Sequence, residues 1–409
     1  MRIAVWHNLP SGGGKRALYQ HVRGLLERGH DVESWTLTTA DPSYLPLGDL
    51  VPEHVVPFAD DLAAPPTRSR QFVQHLRTRE RVRRMHAACA RCAHEMRARG
   101  VDVVLAASCR VFLVPFIGLH VDVPAVAYIQ EPSRGLYEAG LGGTLPWVAK
   151  PASTGLPARV GRTVARQVMA GRALEEWRAV HAYDRVLVNS RFSRESFLRA
   201  YGVDGRVCYL GVDTGTFTAP DGPRDAFVVG LGTVNPAKGV DLAVRAVALL
   251  PEPRPALVWI GNAADPGYLA EVTRLAHALG VSLDVRLRIA DAEVAATLGR
   301  AAAMLYASYL EPFGFAPLEA NACGTPVVAV AEGGVRETVV DGVNGYLVDD
   351  RDPASLAAAL GRLLADPETA RAMGRRGRDL VAECWTVERS VACVERHLLA
   401  AAGASRAAG

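Results

Sequence analysis

Short apolar runs alternate with helical patterns along almost the whole of this chain of 409 residues. Five runs in the first half predict buried strands, at residues 2–6, 32–37, 101–107, 124–129 and 185–188. Helical patterns lie between and after them, at residues 15–28, 71–99, 162–181 and 191–200. This alternation favours a parallel, doubly wound sheet, because the crossover between two parallel strands needs a helix-sized connection.

The alternation starts again after residues 211–223, a stretch rich in Gly, Thr, Asp and Pro that is typical of a linker. Strands are predicted at residues 226–231, 256–260, 282–287, 304–307 and 327–330, and helices at residues 240–250, 269–279, 292–300, 356–364 and 387–401. Residues 140–161, rich in Gly and Pro, predict a mobile loop. Since the chain is too long for one core, we expect two Rossmann-like α/β domains with a ligand cleft at the carboxyl ends of their strands.

Composition narrows the class of protein. No apolar run reaches the roughly 18 residues that a membrane span needs. The opening Met-Arg-Ile-Ala-Val-Trp-His-Asn predicts a strand and not the apolar core of a signal peptide. We therefore expect a soluble, cytoplasmic protein. The seven cysteines are odd in number and scattered, which argues against a disulfide framework.

Two of these cysteines, Cys89 and Cys92, are flanked by His86 and His94. The cluster fits either a metal site or one face of a structural helix. No second ligand pair follows at the spacing of a zinc finger, and the surrounding pattern is helical, so that the structural helix is favoured. No predicted strand carries paired metal-binding carboxylates of the Asp-x-Asp type, and we expect no metal at the functional site.

Charge is distributed unevenly along the chain. The net charge of +3 combines +9 in residues 1–210 with −6 in residues 211–409. The basic half favours an anionic partner, either a lipid phosphate, a membrane surface or nucleic acid; alternatively, its arginines lie on solvated helix faces. Nucleic acid ranks last, because the sequence shows neither an aromatic stacking face nor a known reader motif.

The segment from Glu311 to Glu319 carries the strongest chemical signal. Two prolines and a glycine separate the carboxylates, which excludes one continuous helix. We expect Glu311 in a loop and Glu319 in the first turn of a short helix that begins at Pro317 and ends before Gly324. The backbone N–H groups of residues 314–316 then lie at a helix N-terminus, where anions bind. This predicts a pocket for a polyhydroxylated ligand that carries phosphate.

The same segment, followed by Asn321-Ala-Cys-Gly-Thr-Pro326, resembles the motif of retaining nucleotide-sugar glycosyltransferases of family 4, which have the GT-B fold. Further stretches are similar to other blocks of that family in the same order, at residues 12–14, 189–193, 210–217, 235–242 and 332–348. The resemblance implies two facing Rossmann-like domains. The acceptor domain would span residues 1–211 and be completed by a crossover helix at 387–409, and the donor domain would span residues 212–386.

The resemblance also implies roles for individual residues. Lys238 would bind the donor diphosphate, Glu319 the ribose hydroxyls and Glu311 a sugar hydroxyl. The implied catalytic residues are Glu311, Lys238 and Gln130. The implied donor-binding residues are Gly12, Gly13, Gly14, Thr233, Lys238, Phe313, Gly314, Phe315, Ala316 and Glu319.

Two positions depart from the family pattern. Thr233 replaces the usual arginine, and Gln130 replaces the usual histidine. A glutamine side chain cannot take a proton, so Gln130 is not a general base. Arg336 or Arg134 is a candidate for the missing positive charge. Glu131, Arg134, Tyr137 and Arg336 are candidates for binding acceptor or phosphate.

The leading hypothesis is thus a metal-independent glycosyltransferase without a cofactor, whose co-substrate is a nucleotide diphosphate sugar. It would transfer the sugar to a hydroxyl of a glycan, a lipid-linked saccharide or a natural product. The alternative is a catalytically degenerate GT-B protein that binds a sugar nucleotide or serves as a partner subunit, which the departures at Thr233 and Gln130 motivate.

Overall fold

The computed structural model describes residues 1–60, 71–137, 156–220, 222 and 224–408. The chain divides into two compact units. The first comprises Met1–Cys208 and Val391–Gly409, and the second comprises Tyr209–Ser390. Each unit has its own parallel sheet, and each is described here by itself.

The first unit is built on a seven-stranded parallel sheet in the order β3-β2-β1-β4-β5-β6-β7. Its strands are β1 (Arg2–Asn8), β2 (Asp31–Leu37), β3 (Glu53–Val56), β4 (Val103–Cys109), β5 (Ala125–Tyr128), β6 (Arg185–Val188) and β7 (Arg206–Val207). Its helices are α1 (Gly13–Glu27), α2 (Gln71–Ala98), α3 (Arg134–Tyr137), α4 (Leu156–Val180) and α5 (Arg191–Tyr201).

The second unit is built on a six-stranded parallel sheet in the order β10-β9-β8-β11-β12-β13. Its strands are β8 (Asp225–Leu231), β9 (Ala256–Gly261), β10 (Leu283–Leu287), β11 (Ala301–Tyr306), β12 (Val327–Val330) and β13 (Gly345–Val348). Its helices are α6 (Val240–Ala248), α7 (Pro266–Ala278), α8 (Asp291–Arg300), α9 (Phe315–Ala322), α10 (Val335–Thr338), α11 (Pro353–Ala365) and α12 (Pro367–Cys384). A final helix, α13 (Val387–Ala408), begins in this unit and belongs to the first unit from Val391 onwards.

Strand order fixes where a ligand site can form. In each sheet the chain reverses its winding direction beside the first strand, between β1 and β4 in the first unit and between β8 and β11 in the second. Ligands of open parallel sheets bind outside the carboxyl ends of the strands at such a point, because the helices on either side diverge there. The loops that follow β1, β8 and β11 carry the glycines at 12–14, Lys238 and Glu311, which places these residues at the two reversal points.

The alternation of strands and helices predicted a doubly wound parallel sheet, and this prediction is confirmed in both units. Three strands were missed. β3 is only four residues long and contains a Glu and a His, β7 has two residues, and β13 begins at a glycine, so none carries a clear apolar run. The predicted loop at 140–161 was wrong at its end, because α4 already begins at Leu156; residues 140–155 lie outside the described part of the chain.

Helix α12 was also missed, because its sequence is strongly charged and contains two glycines. Both glycines are required by the close approach of α12 to the segment of α9. A Cβ atom at Gly374 would lie 1.8 Å from the carbonyl oxygen of Gly324, and one at Gly377 would lie 2.7 Å from Asn321 Oδ1. Residues that weaken a helical pattern in the sequence thus permit the helix to pack.

No helix within the described ranges combines the length and the apolar character needed to cross a bilayer.

Candidate functional site

Lys238 lies at the start of α6, where a short 3-10 turn, Pro236–Lys238, follows β8. The turn is capped by Asn235, whose side chain accepts a hydrogen bond from the Lys238 N–H at 3.2 Å. Gly239 then adopts a left-handed conformation, with φ of 67°, and a Cβ atom there would lie 2.4 Å from the carbonyl oxygen of Ala307. Only glycine fits this position, and it directs the chain from the turn into the helix.

The Lys238 ammonium forms an ion pair with the carboxylate of Glu311, 73 residues later in the chain. The same carboxylate accepts a hydrogen bond from Ser308 Oγ at 2.7 Å. Both charged side chains retain some exposure, 25% for Lys238 and 21% for Glu311. The structure thus brings together two residues that the sequence selected independently, and places a cation and an anion side by side at the reversal point of the second sheet.

The loop that carries Glu311 rests on the Gly333–Gly334 turn. The Gly334 N–H donates to the carbonyl oxygen of Glu311 at 2.7 Å. A Cβ atom at Gly333 would lie 2.3 Å from that same oxygen, and one at Gly334 would lie 2.2 Å from the carbonyl oxygen of Pro312. Two separate sequence blocks therefore form one rigid surface, because neither glycine can be replaced without displacing the loop.

Helix α9 begins earlier than the sequence predicted. Its first residue is Phe315 and its cap is Gly314 with φ of 94°, whereas the predicted start was Pro317. Pro317 is tolerated because the N–H groups of the first turn have no partner within a helix. The earlier start puts Glu319 in the second turn and not in the first, and its side chain is only 4% exposed. The helix ends where predicted, before the left-handed Gly324.

An aromatic cluster that sequence reasoning missed holds this loop. The Phe313 ring, which is buried, lies 5.7 Å from the ring of Trp385 and 6.4 Å from that of Tyr209. The Tyr209 hydroxyl donates to Glu337 Oε2 at 2.8 Å. Tyr209 and Trp385 lie at the two ends of the second unit's chain, so that only the folded structure reveals them as neighbours of the Glu311 loop.

Position 233 carries no positive charge, and two arginines of the second unit lie near the Glu311 loop. Thr233 is half-buried and donates to Asn262 Oδ1 at 3.1 Å, which occupies its hydroxyl. Arg336 is exposed, and its Nε donates to the carbonyl oxygen of Gly333 at 3.1 Å. Sequence reasoning missed Arg351, whose Nη1 lies 3.6 Å from Glu332 Oε2 and whose guanidinium lies 5.4 Å from the ring centroid of Tyr309.

The asparagines of the motif blocks are structural. Asn344 Nδ2 donates to Asn321 Oδ1 at 2.6 Å, and both side chains are buried. Asn344 Oδ1 accepts from the Val340 N–H at 2.7 Å, while Asn321 Nδ2 donates to the carbonyl oxygen of Thr325 at 3.2 Å. This network fixes α9 against the strand β13 and so holds Glu319 in place.

In the first unit, the glycine turn after β1 packs against the side chain of Gln130. Helix α1 begins at Gly13, not at Lys15 as predicted. A Cβ atom at Gly14 would lie 3.2 Å from Gln130 Nε2. Gly14 and Gln130 also line a small cavity of about 10 Å³ together with His21 and Tyr128. The predicted neighbours of a sugar or phosphate therefore touch each other within this unit.

Lys15 is buried, with 2% exposure. Burial lowers the pKa of its ammonium, while the nearby carboxylates of Glu53 and Asp41 act in the opposite direction. The sequence predicted only that a helix begins at Lys15, and the structure places this ammonium near the carboxylates of Glu53 and Asp41.

Gly14→Ala is expected to lower, about tenfold, the turnover of the glycosyl transfer that the family resemblance implies, because the added methyl group presses on the Gln130 amide and displaces it. Turnover of the single and double variants measures this effect. In a Gln130→Ala background, Gly14→Ala should cause no further loss. An equal loss in both backgrounds would show that the methyl group acts on the ligand directly and not through Gln130.

His21 is buried against the ring of Tyr128, with centroids 5.3 Å apart, and burial lowers its pKa to about 4. In the unfolded chain the His21 imidazole takes up a proton near pH 6.5, whereas in the folded chain it does so only near pH 4. Stability is therefore lost as the pH falls through this window, by about 2 kcal/mol between pH 7 and pH 5. Urea unfolding at both pH values measures it.

His21→Gln should reduce this acid-dependent loss, while the same change at the exposed His181 should leave it intact. If the His21 variant loses as much stability between pH 7 and pH 5 as the unmodified protein, another group is responsible.

The remaining predicted residues of the first unit lie near one another. Arg134 Nε donates to Glu131 Oε2 at 2.6 Å, so that these two candidates neutralise each other's charge. The Tyr137 hydroxyl approaches the carbonyl oxygen of Ala173 at 3.5 Å, and its ring packs on Tyr201 with centroids 5.0 Å apart. Burial raises the pKa of Tyr137 to about 12.

The Cys89–Cys92 segment lies in the long helix α2, as the favoured interpretation predicted. Both thiols are fully buried. His86 Nδ1 lies 3.0 Å from His120 Nε2, which turns this histidine toward a neighbouring segment. Within the described ranges, no three His, Cys, Asp or Glu side chains come together in a way that could hold a metal ion.

Two family models match the chain. The one described as Glycosyltransferase Family 4 covers residues 11–216, which is half of the chain, and the one described as Glycosyl transferases group 1 covers residues 219–380.

Curated relatives include the D-inositol 3-phosphate glycosyltransferase of Xylanimonas cellulosilytica, 37% identical over 235 residues, which are 51% of this chain and 54% of that protein. The protein of the same name from Salinispora tropica is 34% identical over 292 residues, covering 61% and 60% of the two chains. The matches thus span about half to three fifths of the length of these curated relatives.

Solved structures share the fold. Sucrose-phosphate synthase from Thermosynechococcus elongatus superposes with a TM-score of 0.72 at 22% identity, over 98% of this chain and all of that one. The HepE protein of Anabaena, solved in complex with UDP and glucose, gives a TM-score of 0.71 at 19% identity, again over 98% of this chain and all of that one.

The predicted fold class, GT-B with two Rossmann-like parallel-sheet domains, is thereby confirmed. Together with the match over residues 11–216, it shows that this chain belongs to glycosyltransferase family 4.

Proposed function

We propose that the chain is a retaining glycosyltransferase that moves a sugar from a nucleotide diphosphate sugar to a hydroxyl acceptor. The observation that carries the proposal is the Lys238–Glu311 ion pair at the reversal point of the second sheet. Departure of a diphosphate needs a cation, and a transferred sugar needs a hydrogen-bond acceptor for its hydroxyls. This pair supplies both at the start of a helix, where the N–H groups add to the positive potential.

Within the second unit, each end of the donor has a candidate group. Lys238 and the first-turn amides of α9, at Phe315 and Ala316, would hold the diphosphate. Glu319, four residues into that helix, would accept hydrogen bonds from the ribose, and Glu311 from the sugar. The buried position of Glu319 favours strong hydrogen bonds, because the surroundings are of low polarity. The UDP complex of the HepE protein, which has the same fold, supports a nucleotide-linked donor.

Within the first unit, Gln130 and the Gly12–Gly14 turn are the candidates for contact with the sugar. Gln130 orients but cannot accept a proton. The proton of the acceptor hydroxyl would then pass to an oxygen of the departing phosphate, a route that requires no protein base. Glu131 and Arg134 remain candidates for acceptor binding, as an ion pair and not as two separate charges.

Calorimetric titration with a panel of nucleotide diphosphate sugars tests the donor proposal. At least one should bind, and its affinity should persist in the presence of a chelator, because Lys238 and backbone amides provide the positive charge. Binding that disappears with the chelator and returns with magnesium would contradict the metal-independent site. Failure of every nucleotide sugar to bind would remove the proposed function.

Thr233→Arg separates the two explanations of the missing arginine. If the site lacks positive charge, the variant should bind nucleoside diphosphate about fivefold more tightly at low salt, since an exposed charge contributes up to about 1 kcal/mol. Titration at low and high salt measures this. If Arg336 or Arg351 already fills the role, the variant should bind no better, and Arg336→Ala or Arg351→Ala should weaken diphosphate binding. Unchanged binding in all three variants would favour the degenerate binder.

The acceptor proposal rests on the surface of the first unit. Helix α2 exposes a row of arginines, Arg79, Arg83, Arg91 and Arg97. Helix α4, which packs on α2, exposes Leu174 by 48% and Trp177 by 45%. Exposed arginines on one helix and exposed apolar side chains on the helix packed against it suit an anionic lipid surface, because arginines would contact headgroups while apolar side chains would enter the interface. We therefore propose a lipid-linked acceptor that is reached at a membrane surface.

Sedimentation with vesicles tests this partner. The protein should sediment with phosphatidylglycerol vesicles and not with phosphatidylcholine vesicles, and high salt should release it. Leu174→Ser with Trp177→Ser should reduce sedimentation severalfold. Leu198→Ser provides the matched control, since Leu198 is 53% exposed on another helix. Equal sedimentation of all variants, or none with either vesicle, would overturn the membrane proposal without affecting the donor site.

A further inference from the structure

Two cysteines lie where the chain passes between the two units. Cys208 is the last residue before the chain enters the second unit, and Cys393 lies just after Val391, where the chain returns. Both belong to the first unit, and their thiols share a hydrogen bond. Residues so far apart in sequence meet because helix α13 passes the end of strand β7.

Cys208 is held firmly. Its side chain is fully buried, its N–H donates to the carbonyl oxygen of Val188 at 2.8 Å, and its own carbonyl oxygen accepts from the Tyr128 hydroxyl at 2.5 Å. Cys393 projects from a helix and is half-buried, so that a small reagent has access to it. The pair therefore combines one fixed, protected sulfur with one accessible sulfur.

The surroundings activate the accessible thiol. The hydrogen bond from Cys208 and the guanidinium of Arg396, one turn along α13, lower the pKa of Cys393 to about 7. A substantial fraction is then thiolate at neutral pH, and the thiolate is the nucleophile in disulfide exchange. Cys384 is the one exposed cysteine of the described residues and serves as the reference for simple accessibility.

We propose that Cys208 and Cys393 form a reversible disulfide by exchange with a low-molecular-weight disulfide. The Cys393 thiolate attacks one sulfur of the small disulfide, breaks its S–S bond and releases one small thiolate. Cys208 then attacks the Cys393 sulfur of the mixed disulfide, passes its proton to the solvent and expels the second small thiolate, which takes up a proton. In total, two protein thiols become one protein disulfide, and one small disulfide becomes two small thiols.

The bond would close a loop that contains all of the second unit, Tyr209–Ser390. It would join the end of the first segment of the first unit, at Cys208, to the start of its second segment, at Cys393. Cys208 directly precedes Tyr209, which packs on the Glu311 loop. A loop of this length loses much conformational freedom in the unfolded chain, so that the oxidised protein should be the more stable form.

Mass mapping of the folded, full chain tests the proposal. After incubation with oxidised glutathione and alkylation of the remaining thiols, the peptides of Cys208 and Cys393 should be joined and should separate with dithiothreitol. Oxidation should raise the midpoint of thermal unfolding by several degrees. Cys384→Ser should change neither result, while Cys208→Ser should leave glutathione attached to Cys393 and abolish the shift in midpoint.

Two outcomes would overturn the inference. In one, Cys384 takes up glutathione in the unmodified protein while Cys208 and Cys393 remain alkylated. In the other, the joined peptides appear only when denaturant is added, which would show that the folded chain does not bring the two sulfurs within reach. Circular dichroism of each serine variant verifies that it is folded before these comparisons are made.

Discussion

Replacing Lys238 with methionine is expected to weaken the binding of a nucleoside diphosphate by about 2–3 kcal/mol, roughly 30- to 150-fold. The variant loses the ammonium that would face the diphosphate. It also leaves the Glu311 carboxylate without its cation, and that carboxylate would then repel the phosphates. Calorimetric titration of the folded variant with a nucleoside diphosphate measures the change.

Two companion variants make this result interpretable. Lys238→Met with Glu311→Gln removes the repulsion, so that the double variant should bind diphosphate more tightly than Lys238→Met alone, though less tightly than the unmodified protein. Arg245→Met removes an exposed positive charge from the same helix, α6, and should leave binding unchanged. Equal affinity of Lys238→Met and the unmodified protein would exclude Lys238 from the donor site.

Arg224→Met is expected to destabilise the second unit by about 1.5–3 kcal/mol, the range for hydrogen bonds from a charged group. The half-buried guanidinium lies among backbone carbonyls where α8 and α9 end. It donates to the carbonyl oxygens of Gly299 at 2.7 Å, Ala301 at 3.1 Å, Cys323 at 3.2 Å and Gly324 at 2.6 Å, and to Thr325 Oγ1 at 2.5 Å. Without it, the carbonyl groups at the ends of two helices lose a hydrogen-bond donor.

Denaturant unfolding of the Arg224 variant measures the loss, and Arg300→Met is its control. Arg300 lies at the end of α8 as well, but its ion pair with Asp225 is exposed, with side-chain exposures of 64% and 41%. An exposed pair contributes less than about 1 kcal/mol. Similar losses from both variants would show that the end of α8, and not the carbonyl cluster, determines the stability.

The sequence predicted those parts of the fold that depend on long apolar runs. Buried strands such as β1, β9 and β12 have no polar face, so that their sequences differ clearly from the helices that cover them. The short edge strands β3, β7 and β13 were not predicted, because their pairing in the sheet, and not their own composition, determines their strand conformation. Helix α12 was not predicted for a different reason. Gly374 and Gly377 allow it to pack closely against the segment of α9, and a local sequence pattern does not reveal this contact.

For the candidate site, too, local sequence signals allowed predictions, whereas contacts between distant parts of the chain did not. Lys238, Glu311 and Glu319 could be proposed from the sequence because each lies in a local motif with a chemical reason. Their neighbours were missed where the contact is distant in sequence. Tyr209 reaches Glu337 across 128 residues. The earlier start of α9 was missed because the left-handed conformation of Gly314, which allows a helix to begin at Phe315, is set by tertiary packing.

The departures at Thr233 and Gln130 have distinct consequences in the structure. Thr233 makes its own hydrogen bond to Asn262, so the position is filled and not left as a gap. Gln130 packs on Gly14 beside the buried His21, which burial keeps neutral above pH 4. Neither arrangement removes the Lys238–Glu311 pair on which the proposed transfer depends.

Release of nucleoside diphosphate from a bound nucleotide sugar tests the central claim most directly. The donor that binds most tightly should be cleaved slowly without acceptor, because water then takes the acceptor's place. Cleavage should be at least about a hundredfold slower with Glu311→Gln, prepared in the same way, if that carboxylate stabilises the transferred sugar. Tight binding of nucleotide sugars with no release above the rate of the Glu311 variant would contradict the transferase and support a protein that only binds them.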